Sequence, residues 1–278
     1  MPRSRRQRAS HQARESHTTK SRDRGQIVKV AAIKKRSEHG RGRARYAAPS
    51  NVQTCRLREL VAWSGRGALE DAQLTLLAGR REDPDVDVFT SGDIDLLRQP
   101  CVSIVGTREA TDVGWQRARR LGRELAEHSV VVVSGLAKGI DTAALTGAID
   151  VGGRVIAVIG TPINQAYPIE NAALQEKIYQ EHLLISQFPL GERVFPSNFP
   201  KRNRVMAALS DASVIVEASD TSGTLHQAAE CQRLGRWLFI MRSVAEDRRL
   251  KWPARFIGKP KVAVLASTAE ILDVVRRP

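Results

Sequence analysis

From Pro100 onward, short runs of β-branched and other apolar residues alternate with longer stretches of mixed polarity. Seven of these runs read as strands: Val102–Val105, Val130–Val133, Val155–Ile159, Leu183–Ile185, Val214–Val216, Trp237–Met241 and Val262–Leu265. Runs this short and this uniformly apolar suit strands covered on both faces. Helices are expected between them over 112–127, 140–151, 170–181, 200–209, 223–235 and 248–257, with a last one over 268–276. Repeated strand–helix units with buried strands predict an α/β fold built on a doubly wound, mostly parallel sheet. Upstream, Leu57, Leu60, Val61, Leu69, Leu74, Leu76 and Leu77 recur at roughly helical spacing, interrupted by Gly65 and Gly67. That pattern predicts a small helical lead-in, followed by a connector with acids, Pro84 and Gly92. Residues 1–50 nearly lack large apolar groups outside Ile27–Ile33 and are expected to be a disordered basic tail. The predicted organisation is a tail over 1–50, a lead-in and connector over 51–99, and one sheet domain over 100–278.

Charge changes the picture by its distribution. The chain carries a formal +14. Residues 1–50 hold 15 Lys/Arg against 3 acids, whereas the other 228 residues hold 29 bases and 27 acids. A basic arm of this kind can touch phosphates, although a plain solvated extension fits the same composition. The sheet domain is nearly neutral, so any affinity it has for a polyanion rests on particular residues. Aromatics are 5% of the chain, too few for a surface built mainly on stacking. Cys55, Cys101 and Cys231 show no CxxC spacing and read as buried reduced thiols. The 6 His form no ligand cluster, so no metal is expected. The Arg-rich start lacks a signal's apolar segment, and no apolar run reaches the roughly 18 residues of a membrane span, which points to a cytoplasmic protein.

In sheets of this kind ligands bind beyond the carboxyl ends of the strands, so the loops there are the candidate site. The first is Gly106-Thr107-Arg108, offering a tight turn, a hydroxyl and a guanidinium fork suited to phosphate. The second runs Ser134-Gly135-Leu136-Ala137-Lys138-Gly139-Ile140-Asp141. Its glycines free backbone amides to face an anion, Ser134 and Lys138 add a donor and a charge, and Asp141 stands where a helix cap would. It matches neither GxxxxGK[ST] nor GxGxxG, which argues against P-loop hydrolysis and ordinary dinucleotide binding. The third is Phe199-Pro200-Lys201-Arg202-Asn203-Arg204. Cations at a helix start oppose the helix dipole unless an anion is near, and such local conflicts mark functional sites. The fourth, Glu217 to Leu225, gathers Ser219, Thr221, Ser222 and Thr224 around Gly223 at another helix start.

In this order and spacing, these motifs resemble the DprA/Smf family of bacterial DNA-processing proteins over about residues 100–242. Tyr167-Pro168 with Asn171, Leu209-Ser210 and Gly235-Arg236 belong to the same pattern. The resemblance implies an extended Rossmann-like fold, single-stranded DNA binding, a homodimer, and delivery of DNA to a RecA-type recombinase during natural transformation or recombination. Departures stand at Leu145, where the family has His, at Gly160-Thr161-Pro162-Ile163, at Gln187 and around Met241-Arg242-Ser243.

The expected mechanism is binding without catalysis or a cofactor. Arg108, Lys138, Lys201, Arg202 and Arg204 would neutralise successive phosphates. Ser134, Ser222, Thr224 and the amides of Gly106, Gly135, Gly139 and Gly223 would hydrogen-bond phosphate oxygens or bases, with Thr107 beside them. Asn203 would read a base edge or orient Arg202, and Phe199 would stack a base or pack its helix onto the sheet. The competing reading is a nucleotide phosphoribohydrolase of the lonely-guy type. Gln227 falls where that family has its catalytic carboxylate, and an amide cannot serve as the base, although Glu217 and Glu230 stand nearby. A nucleotide sensor using the same loops is the third reading.

Overall fold

The computed structural model describes residues 29–32, 46–67 and 85–275. Ten described strands form one sheet. They are β1 (Lys29–Ala32), β2 (Asn51–Arg56), β3 (Asp87–Gly92), β4 (Cys101–Gly106), β5 (Val131–Ser134), β6 (Val155–Ile159), β7 (Leu183–Ser186), β8 (Ala212–Glu217), β9 (Trp237–Met241) and β10 (Val262–Leu265). The order across the sheet is β1-β2-β3-β7-β6-β5-β4-β8-β9-β10. From β7 to β10 all pairings are parallel, and β1, β2 and β3 add an antiparallel flank. The sheet is therefore doubly wound and mostly parallel, and the expected fold class is correct.

The chain winds outward from β4 through β5, β6 and β7, then returns to lay β8 on the other side of β4. This reversal leaves the loops after β4 and β8 to diverge, which opens a crevice at the carboxyl edge. Helices cover both faces: α1 (Leu57–Trp63), α2 (Asp112–Glu127), α3 (Ile140–Ile149), α4 (Ala172–Glu181), α5 (Asn198–Ala208), α6 (Thr224–Arg233), the single turn α7 (Arg242–Ala245) and α8 (Thr268–Val275). Strand alternation splits the interior into two cores. Val131 and Val133 face the layer of α1, α5 and α6, which adds Leu60, Met206 and Cys231. Val130 and Val132 face the layer of α2, α3 and α8, which adds Leu125, Ala144 and Ile271. All three cysteines are free and buried, and burial pushes the Cys55 and Cys231 thiols up to about 12.

Four expectations need correction. The helical lead-in begins as strand β2, because Asn51–Arg56 buries only Val52 and Cys55 and gains its order by pairing with β3. The part of that lead-in over 68–80 lies outside the described residues. The connector contains β3, whose Phe89 and Thr90 pair with β7. The segment 248–257 is no α-helix but a 3₁₀ turn at Pro253–Arg255, where proline's missing N–H limits a longer ladder. It is held instead by Trp252, whose Nε1 donates to the Ala218 carbonyl at 3.1 Å, and by Asp220, which accepts the Trp252 N–H at 2.7 Å. The tail expected over 1–50 includes β1, paired antiparallel with β2, and residues 46–50, where the Tyr46 hydroxyl donates to the Ile163 carbonyl at 2.8 Å. The rest of it lies outside the described residues.

Candidate nucleic-acid interface

At the crevice between β4 and β8 lies a cavity of about 530 Å³, lined by the loops after β4, β5 and β8 and by the start of α5. A second lobe of about 490 Å³ adjoins it over β5 and β6. Arg108, Glu109, Ala137, Tyr167, Phe199 and Arg202 line both, so the two are one cleft narrowed at its middle.

The narrowing is aromatic and cationic. The Arg108 guanidinium lies 4.6 Å from the Phe199 ring centroid, and the Phe199 and Tyr167 centroids are 5.4 Å apart. Arg108 is exposed and has no ion-pair partner among the described residues. Such a cation over a ring is held in place by the ring quadrupole and keeps its N–H fork open. Beside it Thr107 is half-buried, its Oγ1 accepting the Glu109 N–H at 3.2 Å. Across the first lobe, the Ser222 hydroxyl donates to Thr224 Oγ1 at 2.9 Å, and Gly223 is open on the side a Cβ would occupy.

Arg202 is the floor. It is 5% exposed and its Nη1 donates to the Val158 carbonyl at 2.8 Å, 3.9 Å from Asp141 Oδ2. Asp141 also accepts the Gly135 N–H at 3.1 Å and the Ala137 N–H at 3.4 Å. Burial pushes the Asp141 carboxyl up, against the Arg202 guanidinium and those two amides. This pair ties α5 to the loop before α3, and Gly135 is required there, since a Cβ would collide with the guanidinium.

Nine of the sequence-selected residues line the first lobe: Gly106, Thr107, Arg108, Phe199, Arg202, Asn203, Ser222, Gly223 and Thr224. Gly135 and Lys138 join Arg108, Phe199 and Arg202 around the second. Several expected roles are corrected by the bonding. Ser134 is fully buried and its hydroxyl donates to the Ile104 carbonyl at 2.6 Å, so it presents nothing to a ligand. The Gly135 amide serves Asp141 rather than an anion, and Gly139, with φ 77°, packs against the Thr107 carbonyl at the start of α3. Arg202 is sealed in its pair with Asp141 rather than lining an open track. Arg204 turns away to Glu230 at 3.4 Å, and Lys201 lines neither lobe. Thr224 spends its hydroxyl on the Gly106 carbonyl at 3.2 Å, and Asn203 Nδ2 donates to the Gly223 carbonyl at 3.2 Å. Lys138 reaches the rim, paired with Glu170 at 2.7 Å.

Sequence reasoning missed Glu109, Tyr167 and Glu170 as lining residues. Tyr167 was visible only as part of a familiar motif, because the loop after β6 is long and gives no phosphate-binding pattern. The carboxylates considered for hydrolysis are engaged elsewhere. Gln227 is fully buried, its Nε2 donating to Ser213 Oγ at 2.9 Å and Ser103 Oγ at 3.1 Å. Glu217 accepts the Thr111 hydroxyl at 3.1 Å, and Glu230 pairs with Arg204 and with Arg233 at 2.6 Å. Among the described residues no group of His, Cys, Asp and Glu could hold a metal, and no helix is long and apolar enough to cross a membrane.

A doubly wound sheet with an Arg- and hydroxyl-lined cleft at its switch point defines a Rossmann-like protein. A sequence profile of the family described as DNA recombination-mediator protein A matches residues 70–275, and the chain belongs to that family. It is 40% identical over 159 residues to the DNA processing protein DprA of Streptococcus pneumoniae, covering 57% of this chain and 56% of that one. It is 33% identical over 183 residues to DprA of Bacillus subtilis, covering 66% and 62%. The chain thus spans less than two thirds of the length of these relatives. The solved structure of Streptococcus pneumoniae DprA superposes with a TM-score of 0.62 at 34% identity, covering 69% of this chain and 67% of that one. A structure of DNA processing protein A from Helicobacter pylori, concerned with its single-stranded DNA binding mode, superposes with a TM-score of 0.61 at 27% identity, covering 69% and 88%.

Proposed function

We propose that the cleft binds single-stranded DNA without sequence preference and performs no covalent chemistry on it. The observation that carries this reading is Arg108: an exposed guanidinium with no ion-pair partner among the described residues, lying on a tilted aromatic pair at the switch point. That juxtaposition suits a strand whose phosphate meets the fork while an unstacked base meets a ring face. A duplex offers no free base faces to Phe199 and Tyr167. The name of the Helicobacter pylori relative's structure supports the same ligand class. The lonely-guy alternative loses its support, because Gln227 is an amide locked in the core and Glu230 is held by two arginines. The DNA-processing names of the relatives support a role in handling incoming or recombining DNA. We extend the reading, on the family resemblance, to a homodimer that hands its strand to a RecA-type recombinase.

The test is competition between an oligothymidylate and a duplex of equal length. The wild-type chain should prefer the single strand, and Arg108→Ala should weaken strand binding about tenfold, the equivalent of about 1.4 kcal/mol. Equal affinity for both ligands, or release of free base from a nucleoside monophosphate, would overturn the reading.

A further inference from the structure

Two smaller cavities open further along the same edge. They measure about 330 Å³ and about 290 Å³ and share Arg117, Met241, Leu265 and Ala266. Met241 and Leu265 are the last residues of β9 and β10, so these cavities lie beyond carboxyl strand ends, as the cleft does. In the sheet order β9 and β10 stand two and three places from β4. At a strand spacing of about 4.8 Å that is about 10 and 14 Å along the edge.

The cations here differ from their neighbours. On α2, Arg119, Arg120 and Arg123 each pair with a carboxylate, at 2.5, 2.6 and 3.0 Å. Arg117, on the same helix, has no ion-pair partner among the described residues, and its Nη1 donates to Ser243 Oγ at 2.8 Å. Arg242, which follows β9 directly, likewise has none, and both side chains are exposed. Of the two acids in these cavities, Glu124 is engaged by Arg120 and by the Thr268 hydroxyl, and Glu246 lies on the rim beside Arg242. On the stretch of loop between cleft and cavities, Glu217 is bonded to Thr111 and Asp220 to the Lys251 and Trp252 N–H groups.

We propose that Arg117 and Arg242 form a second phosphate station for the same strand, reached after it leaves the cleft toward β10. The proposal rests on the reading of the cleft as a single-strand site. Among the described residues no aromatic side chain lines either cavity, so this station holds the phosphodiester backbone and contributes nothing to base preference.

The experiment compares the full chain with an Arg117→Ala/Arg242→Ala double variant. Each is titrated over a range of salt with a thymidine dinucleotide, which at about 3.4 Å per nucleotide is too short to bridge the gap of about 10 Å, and with an oligothymidylate of about 20 nucleotides. The short strand should bind both proteins equally. The long strand should bind the variant more weakly, and its log–log salt slope should fall by about 1.4, the value for two lost phosphate contacts on a single strand. Glu246→Gln should tighten the long strand only. An unchanged slope for the long strand overturns the second station while leaving the cleft intact. If the short strand fails to bind the wild-type chain, the cleft reading falls and takes this proposal with it.

Discussion

Residues of one chemical type divide in this protein according to whether the fold has already used them. Arg202 and Arg108 belong to the same cleft, yet the first is a buried structural ion and the second an open one. The sequence shows both as arginines in strand-end loops and cannot rank them, because burial is decided by how α5 seats on the sheet. His182 gives a residue-scale test of the surroundings. It lies at the end of α4, is 5% exposed, and neither ring nitrogen has a hydrogen-bond partner among the described residues. Burial, followed by the charge of Arg154, holds its pKa below the ordinary value. A base whose folded pKa is depressed binds more protons when unfolded, so stability falls as pH drops through the unfolded value of about 6.5. Denaturant titrations between neutral and mildly acid pH should show that loss in the wild type, and His182→Leu should flatten it. An identical pH dependence in the variant would contradict the burial argument.

At the level of elements, the parallel strands were legible as short apolar runs, most of them buried on both faces, as in Val131–Ser134 and Val155–Ile159. β2 and β3 were not, since Asn51–Arg56 and Asp87–Gly92 carry mixed residues and owe their conformation to pairing with a sheet already formed. Site legibility followed a similar rule. Loops that begin directly at a strand end announced themselves by Gly, Ser, Thr and Arg, whereas Tyr167 and Glu170 arrive from a long connection with no such signature. The coupling of α5 to the loop before α3 through Arg202 and Asp141 makes a specific demand. Arg202→Ala leaves the Asp141 carboxylate buried without its partner, and denaturant unfolding should show a loss of about 3–5 kcal/mol. Arg108→Ala, at an exposed position, should change stability by less than about 1 kcal/mol. A mild effect at Arg202 would mean that the pair does not organise the floor of the cleft.

For the whole molecule, the charge asymmetry sets up two possible binders: the basic first 50 residues and the nearly neutral sheet domain with its few open cations. Cations alone give affinity that is steep in salt and indifferent to strandedness. A cleft with a ring pair adds preference for unstacked bases. The two contributions separate in one experiment, a salt-titrated measurement of oligothymidylate and duplex binding by three proteins. These are the full chain, a chain lacking residues 1–28 that keeps β1, and the Arg108→Ala variant. Deletion of 1–28 should lower affinity and reduce the salt slope, yet retain the preference for single strands, whereas Arg108→Ala should remove that preference with the arm intact. If the deletion abolishes binding altogether, or Arg108→Ala leaves the preference unchanged, the strand is held by the arm and the cleft is not the binding site.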